Sequence, residues 1–471
     1  MAFQTIPVNT TGPSYQDRSR PLSSQTTRMF YHEVVESGKD QFVLKSFPGL
    51  KLFGSAVGSN DRGQTQMALT GFRVLDTTLY SVSSTGVHTS LGSIPGIGRC
   101  IFANDGINLF IVSDLKVFQW DGTTVTEVTN VNITGSKSVA FFNNQFAYTK
   151  DTLTIISDVG DGSTASGLNA VGAESLPDDL VRDYWFDQVL YRFGTRSVEL
   201  WYNSGVGSPP IARIEGGIFS VGTAAIHSIA NTKDALYWLG SDRRIYKTKG
   251  GVEDIVSSSA ISHAIEGYDT VDDCFVSEWV LEGKAFLSFT FPSEDRTWGF
   301  VEELGVNGWF ELSSGTDGGR FQADSFVNVY GKTLFGDLGT GKLFELDIDT
   351  FDLGGDVLQR RRIMTSINGK TLGQPGKRVE MSRFELILET GVGLVSGQGV
   401  DPLIMIEASY DGGKSFELGT WMRIGRLGET DIRAEWFNMR SFYDLIIRIT
   451  TSDPVDYSIY SGAIDLRLAG R

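Results

Sequence analysis

The residue types able to carry chemistry are few in this chain and stand far apart. Its four histidines, His32, His88, His227 and His263, have no second histidine, cysteine or carboxylate at a metal-ligand spacing, so neither a zinc site nor a histidine-based triad is expected. Residues 336–342, GDLGTGK, match the G-x-x-x-x-G-K part of a phosphate loop. Leu343 stands where the Ser/Thr hydroxyl would hold magnesium, and a strand-like run follows where a helix is needed, so the segment reads as a hairpin turn. Asp158, Asp161 and Gly162 hint at calcium but lack the alternation and the closing Glu of a calcium loop, which leaves a solvated turn. Paired carboxylates occur at Asp178-Asp179, Asp272-Asp273 and Glu302-Glu303. A glycosidase would need two of them facing one cavity. Arg360-Arg361-Arg362 is the compact basic run. On a strand its alternate side chains face opposite sides, which suits a domain junction or a subunit contact better than a phosphate patch. Cys100 and Cys274 lie in apolar strand-like runs and read as buried free thiols. No catalytic, cofactor-binding or metal-binding residue is assigned, no cofactor is expected, and the chain is not read as an enzyme.

The elements that must position these residues are strands. Fifty-five glycines and only 12 prolines in 471 residues, with 11 % aromatics, suit an all-β protein with many turns. Within 285–314 the sequence alternates at period two and breaks at Pro292 and at Gly305 to Gly308, giving three short strands joined by tight turns. So small a meander needs like units stacked beside it. From about residue 66 to 347 the same cadence recurs. Second strands aligned on Tyr80, Phe110, Tyr148, Tyr191, Tyr237, Leu287 and Phe335 have a mean spacing of about 42 residues, the repeat of four-stranded propeller blades. The fold class expected is all-β: a β-propeller of about seven blades over 51–350, with 158–177 as an inserted loop. A pair of β-sandwiches is the alternative. Residues 1–50 are polar at the start and read as an extended N-terminal arm, and 351–378 as a connector. Runs at 384–388, 403–408, 436–439, 445–449 and 463–468 make a smaller sandwich-like domain over 379–471.

Charge narrows the function. Forty-one Lys and Arg against 57 Asp and Glu leave a net charge of −16, which repels a phosphate backbone. No apolar run approaches a membrane span, and no secretion leader is expected from the N-terminal residues.

Several stretches together resemble one family. They are Phe30-Tyr31-His32-Glu33 followed by SFPGL at 46–50; FTFPSEDRTWGF and GWFEL within 289–312; TLFGDLGTGKLFELD at 333–347 with the arginine run after it; and SRFELILETGVG, ASYDGGKSF and WFNMRSFYDLIIRITTSDPV between 382 and 455. In order and spacing the sequence resembles the packaged-DNA stabilisation proteins of short-tailed bacteriophages, tail accessory factors also called nozzle or hub proteins. The resemblance implies a seven-bladed body that forms a homo-oligomeric ring of six below the portal and its adaptor ring. Such a ring extends the DNA channel, retains packaged DNA, conducts it on ejection without tight binding, and holds the needle, tip or fibre proteins. It also implies a virion protein assembled in the host cytoplasm, without membrane insertion or catalytic residues. Phe47, where a small residue often precedes Pro-Gly, and His32 depart from the commonest pattern. A glycan- or receptor-binding propeller at the tail tip and a propeller hydrolase are the other readings. The first predicts aromatic-lined pockets repeated in each blade.

Overall fold

The computed structural model describes residues 2–20, 22–35, 42–172, 178–417, 419–437 and 440–469. Asn438 and Met439 of an expected strand and 173–177 of the expected loop lie outside them. The chain is mostly β, and among the described residues it has one short α-helix, Ser259–Glu266, capped by the Ser258 side chain accepting from Ile261 N–H.

Among the described residues seven antiparallel units follow one another, six of four strands spanning 61–93, 101–127, 138–172, 180–219, 229–255 and 275–312, and a seventh with three of its strands in 323–347. Two-residue turns at Asp114-Leu115, Asn143-Asn144 and Asp187-Gln188 hold positive φ at both positions, the hairpin geometry whose twist matches that of the strands. The first strands stand side by side in a circuit, and that of the last unit, Ala323–Val329, returns against that of the first, Asp61–Met67. There Gln64 Nε2 donates to Ser325 Oγ at 2.6 Å. Each unit buries one aromatic-rich face against the next. Phe110 meets Phe146 at 4.5 Å between ring centroids, and Phe193 and Phe219 both lie against Trp238.

The structure differs from the sequence reading in several places. Tyr80 lies in the third strand of its unit, Thr78–Val82. The second strand is Thr70–Leu75, whose aromatic signature is broken by Gly71 and by Arg73, buried with its guanidinium on Asp61. The expected insert at 158–177 contains the outer strand Ala170–Gly172 of the third unit. The outer strand of the seventh unit comes from Gly49–Leu52, which pairs with Leu343–Asp347, so the circuit is closed by strands far apart in sequence.

The largest correction concerns residues 1–50, whose described parts form strands and not an extended arm. Gln4–Val8 pairs with Ser458–Leu468, and Phe30–Val34 pairs with Phe42–Ser46, which also reaches Ser458–Leu468. Ser24–Arg28 lies between Trp309–Leu312 of the sixth unit and Arg360–Ile363 of the expected connector, making one continuous sheet from the sixth unit into the C-terminal strands. The expected C-terminal strands are present, with Thr420–Arg423 added. Two sheets enclose a core that includes Phe30, Leu44, Phe384, Ile404, Ile449, Tyr457 and Ile464. Polar segments can be strands here because the neighbouring edges supply backbone partners. Apolar contacts come from a few residues such as Val8 and Phe30.

Where the N-terminal strands meet the propeller units, Phe47 is fully buried. Its ring lies 6.0 Å from those of Phe310 and Phe321 and 6.2 Å from that of Trp279. Phe47→Ala is expected to cost about 3–5 kcal/mol, read as a fall in the denaturation midpoint with little change in slope. A cost below about 1 kcal/mol would show that this cluster collapses around the loss.

Candidate functional site

The chemistry-bearing residues found in the sequence do not converge. Arg360 and Arg362 are fully buried on one face of their strand, as strand alternation requires, and cannot reach a DNA backbone. Arg362 donates to the Thr10 carbonyl at 3.0 Å, to Thr27 Oγ1 at 2.7 Å, to Gln25 Oε1 at 2.8 Å and to the Pro13 carbonyl at 3.4 Å. Arg360 donates to the carbonyls of Phe351 and Asp453. Burial pulls Arg360 down to about 10 and Arg362 to about 9. The run is a junction device, joining the N-terminal segment to the C-terminal strands.

His32 is buried, and its Nδ1 accepts from Gly12 N–H at 3.4 Å. Burial and the nearby Arg362 push it down to about 3. His88 packs on Tyr80, and His263 sits on the helix near Glu266. Among the described residues no group of three His, Cys, Asp or Glu side chains is placed to hold a metal ion. Cys100 and Cys274 are buried free thiols, and burial raises Cys100 to about 11. Residues 338–342 turn between Lys332–Asp337 and Leu343–Asp347, and the carbonyls of Gly341 and Lys342 accept from Arg73. A phosphate cradle would instead aim N–H groups at its ligand.

Asp161 is held by Ser163 and Thr164 in its own turn. Asp178 accepts from the N–H groups of Thr195, Arg196 and Ser197, and Asp273 from that of Ser293. Glu302 accepts from Thr232 Oγ1 at 3.1 Å and from the Tyr237 hydroxyl at 2.7 Å. These carboxylates are each fixed by their own partners as clamps on loops, Asp273 and Glu302 both at the sixth unit. Glu278, which no adjacent pair in the sequence marks, is raised to about 7 by burial and then by the charge of Glu302.

Because Glu278 binds its proton more tightly when folded, its contribution to stability is full below the unfolded value of 4.5 and is lost as pH rises through about 7. Glu278→Gln is therefore expected to melt higher than the parent above pH 7, by a few degrees after solvent screening. The difference should close below about pH 4.5, as read by melts across pH. A constant difference at all pH values would assign the effect to packing.

Sequence patterns gave no sign of the cavity at the centre of the circuit. About 270 Å³ in volume, it is lined by first-strand residues of six of the seven units and by the turns before them, among them Gln64, Arg99, Arg182, His227, Phe275 and Ser325. The Arg99 guanidinium lies 3.6 Å from the centre of the Phe275 ring and donates to Asp324 Oδ1 at 3.2 Å. A duplex, whose major groove alone is about 12 Å wide, does not enter such a space. What the cavity can accept is a small polar group. No single stretch predicts it, because its lining residues are spread from Arg62 to Phe326 and only closure of the circuit brings them together.

Comparison with known proteins places the chain. No curated protein matches it in sequence. Among solved structures it is similar to PorZ, an essential bacterial surface component of the type-IX secretion system of Porphyromonas gingivalis, with a TM-score of 0.40 and 12 % identity over 79 % of this chain and 46 % of that one. The chain therefore spans less than half of the PorZ chain. It is also similar to BamB from Moraxella catarrhalis, with a TM-score of 0.38 and 8 % identity over 73 % of this chain and 96 % of BamB. The family model described as Bacteriophage P22 Gp10, beta-propeller, matches residues 4–351, from the first N-terminal strand through the seventh four-stranded unit. The chain belongs to that family, whose namesake is the packaged-DNA stabilisation protein in the tail of a short-tailed phage.

Proposed function

We propose that this chain is a structural, non-enzymatic protein of the virion, a seven-bladed propeller with a two-sheet β-domain. Six copies form a ring below the portal and its adaptor, extend the DNA channel, keep the packaged genome in place and carry the tip, needle or fibre proteins. The observation that carries this reading is the family match over residues 4–351. Two physical features agree with it. The axial cavity, about 270 Å³ in volume and lined by Arg99, Phe102 and Phe275 among others, is too small for a duplex, so DNA runs along the outside of each propeller, through the centre of the ring. A net charge of −16 opposes adhesion of that DNA to the wall by like-charge repulsion. The glycan-binding reading needs exposed aromatic platforms repeated in each unit, whereas Trp238, Trp279 and Trp309 are fully buried.

Antibody-gold electron microscopy of phage particles that contain this protein tests the reading. Label at a single vertex, between head and tip, is the expected result. Label on fibres or spikes would overturn it in favour of receptor binding.

A further inference from the structure

The axial cavity carries more positive charge than its structural contacts use. Arg99 and Arg320 converge on one carboxylate, that of Asp324. Arg62, also in the lining, spends its guanidinium on the carbonyls of Asp76, Ile94 and Gly98 and on Ser113 Oγ, and no carboxylate lies within ion-pair distance of it among the described residues. Arg182 donates from Nη1 to the Ile226 carbonyl at 3.0 Å, while its buried Nε has no hydrogen-bond partner among the described residues. Nearby Asp61 is committed to Arg73. A charged donor left unpaired in a buried place is costly, and the guanidiniums of Arg62, Arg99 and Arg182, with no carboxylate among the lining residues, leave a positive hollow in a protein of net charge −16.

We propose that this cavity is a binding site for one small oxyanion of the phosphate class, held by Arg182 with Gln64, His227 and Ser325 on the surrounding walls. The volume of about 270 Å³ lies below the roughly 300–1,000 Å³ of organic-ligand pockets, and fits an ion with a few waters. Arg182 supplies the charge-assisted donor, and its planar fork suits a tetrahedral oxyanion. His227 is kept neutral by burial and by Arg99 and Arg182, so it can donate one N–H without adding a like charge to the arginines. The bound ion would tie together first strands from opposite sides of the circuit. The site is independent of the tail assignment.

The test uses the full chain and inorganic phosphate, titrated at constant ionic strength against chloride and followed by calorimetry and by ³¹P line broadening. A single saturable site is expected, with a rise in melting temperature over the chloride control. Arg182→Gln should weaken binding about tenfold to a hundredfold, the range of a lost charge-assisted hydrogen bond. Arg423→Gln, on the exposed face of the C-terminal strands, should leave it unchanged. Should Arg182→Gln not fold, Gln64→Glu, which sets a carboxylate on the cavity wall, is expected to abolish binding. No saturable phosphate effect in the parent chain, or equal affinity in the cavity variants, would overturn the proposal.

Discussion

Deleting residues 2–35 is expected to leave protein that is insoluble or aggregated on size exclusion, without a cooperative melt. Read as an extended arm, the N-terminal segment invites the opposite expectation, that its loss spares a folded body and prevents only assembly. In the structure the deletion strips Ser24–Arg28 from between Trp309–Leu312 and Arg360–Ile363, opening two sheet edges at once. It also removes Val8 and Phe30 from the core of the C-terminal sheets, and Met29 and Tyr31 from the cluster around Phe310. Losing several large buried side chains at about 2–5 kcal/mol each exceeds the stability of about 5–15 kcal/mol available to a whole domain. A soluble, monodisperse deletion with a sharp melt would show that the N-terminal strands are accessories after all.

Arg362→Ala is expected to destabilise the protein by about 5 kcal/mol or more, whereas Arg361→Ala, one residue away, should cost no more than about 1 kcal/mol. Arg362 is fully buried and satisfies four acceptors on the N-terminal segment. Its removal leaves a cavity and unpaired acceptors at about 1–3 kcal/mol each. Arg361 is only partly buried and donates to Gln359 Oε1. The measurement is the midpoint of thermal unfolding by tryptophan fluorescence, with trypsin cleavage near residues 18–28 as a local probe. A fall of more than about 10 °C for Arg362→Ala alone fits a junction arginine. Equal effects of the two substitutions, or lost DNA affinity with unchanged stability, would restore the reading of the run as a surface contact.

These two cases show where sequence patterns carry information. The four-stranded cadence was legible because each strand's period and each turn residue are local properties. Six of the seven anchors, from Phe110 to Phe335, fall in second strands. Tyr80 misled because the one aromatic of the second strand, Phe72, is flanked by Gly71 and by Arg73, which is buried in an ion pair with Asp61. The hairpin at 338–342 and the buried cysteines were legible for the same local reasons. The N-terminal strands were not, because a strand such as Ser24–Arg28, SQTTR, owes its state to edges contributed by residues more than 280 positions away.

Sequence alone determined the class of the fold, the repeat, the acidic character and the family, since periodicity, turn chemistry, net charge and motif order are properties of the chain read in line. Tertiary structure decided how the circuit closes through Gly49–Leu52, that Arg360 and Arg362 face inward, and that Arg99, Arg182 and His227 share one axial cavity. The physical reason is that each of these rests on partners distant in sequence, and the unpaired edges, buried charges and cavity walls exist only once those partners are in place.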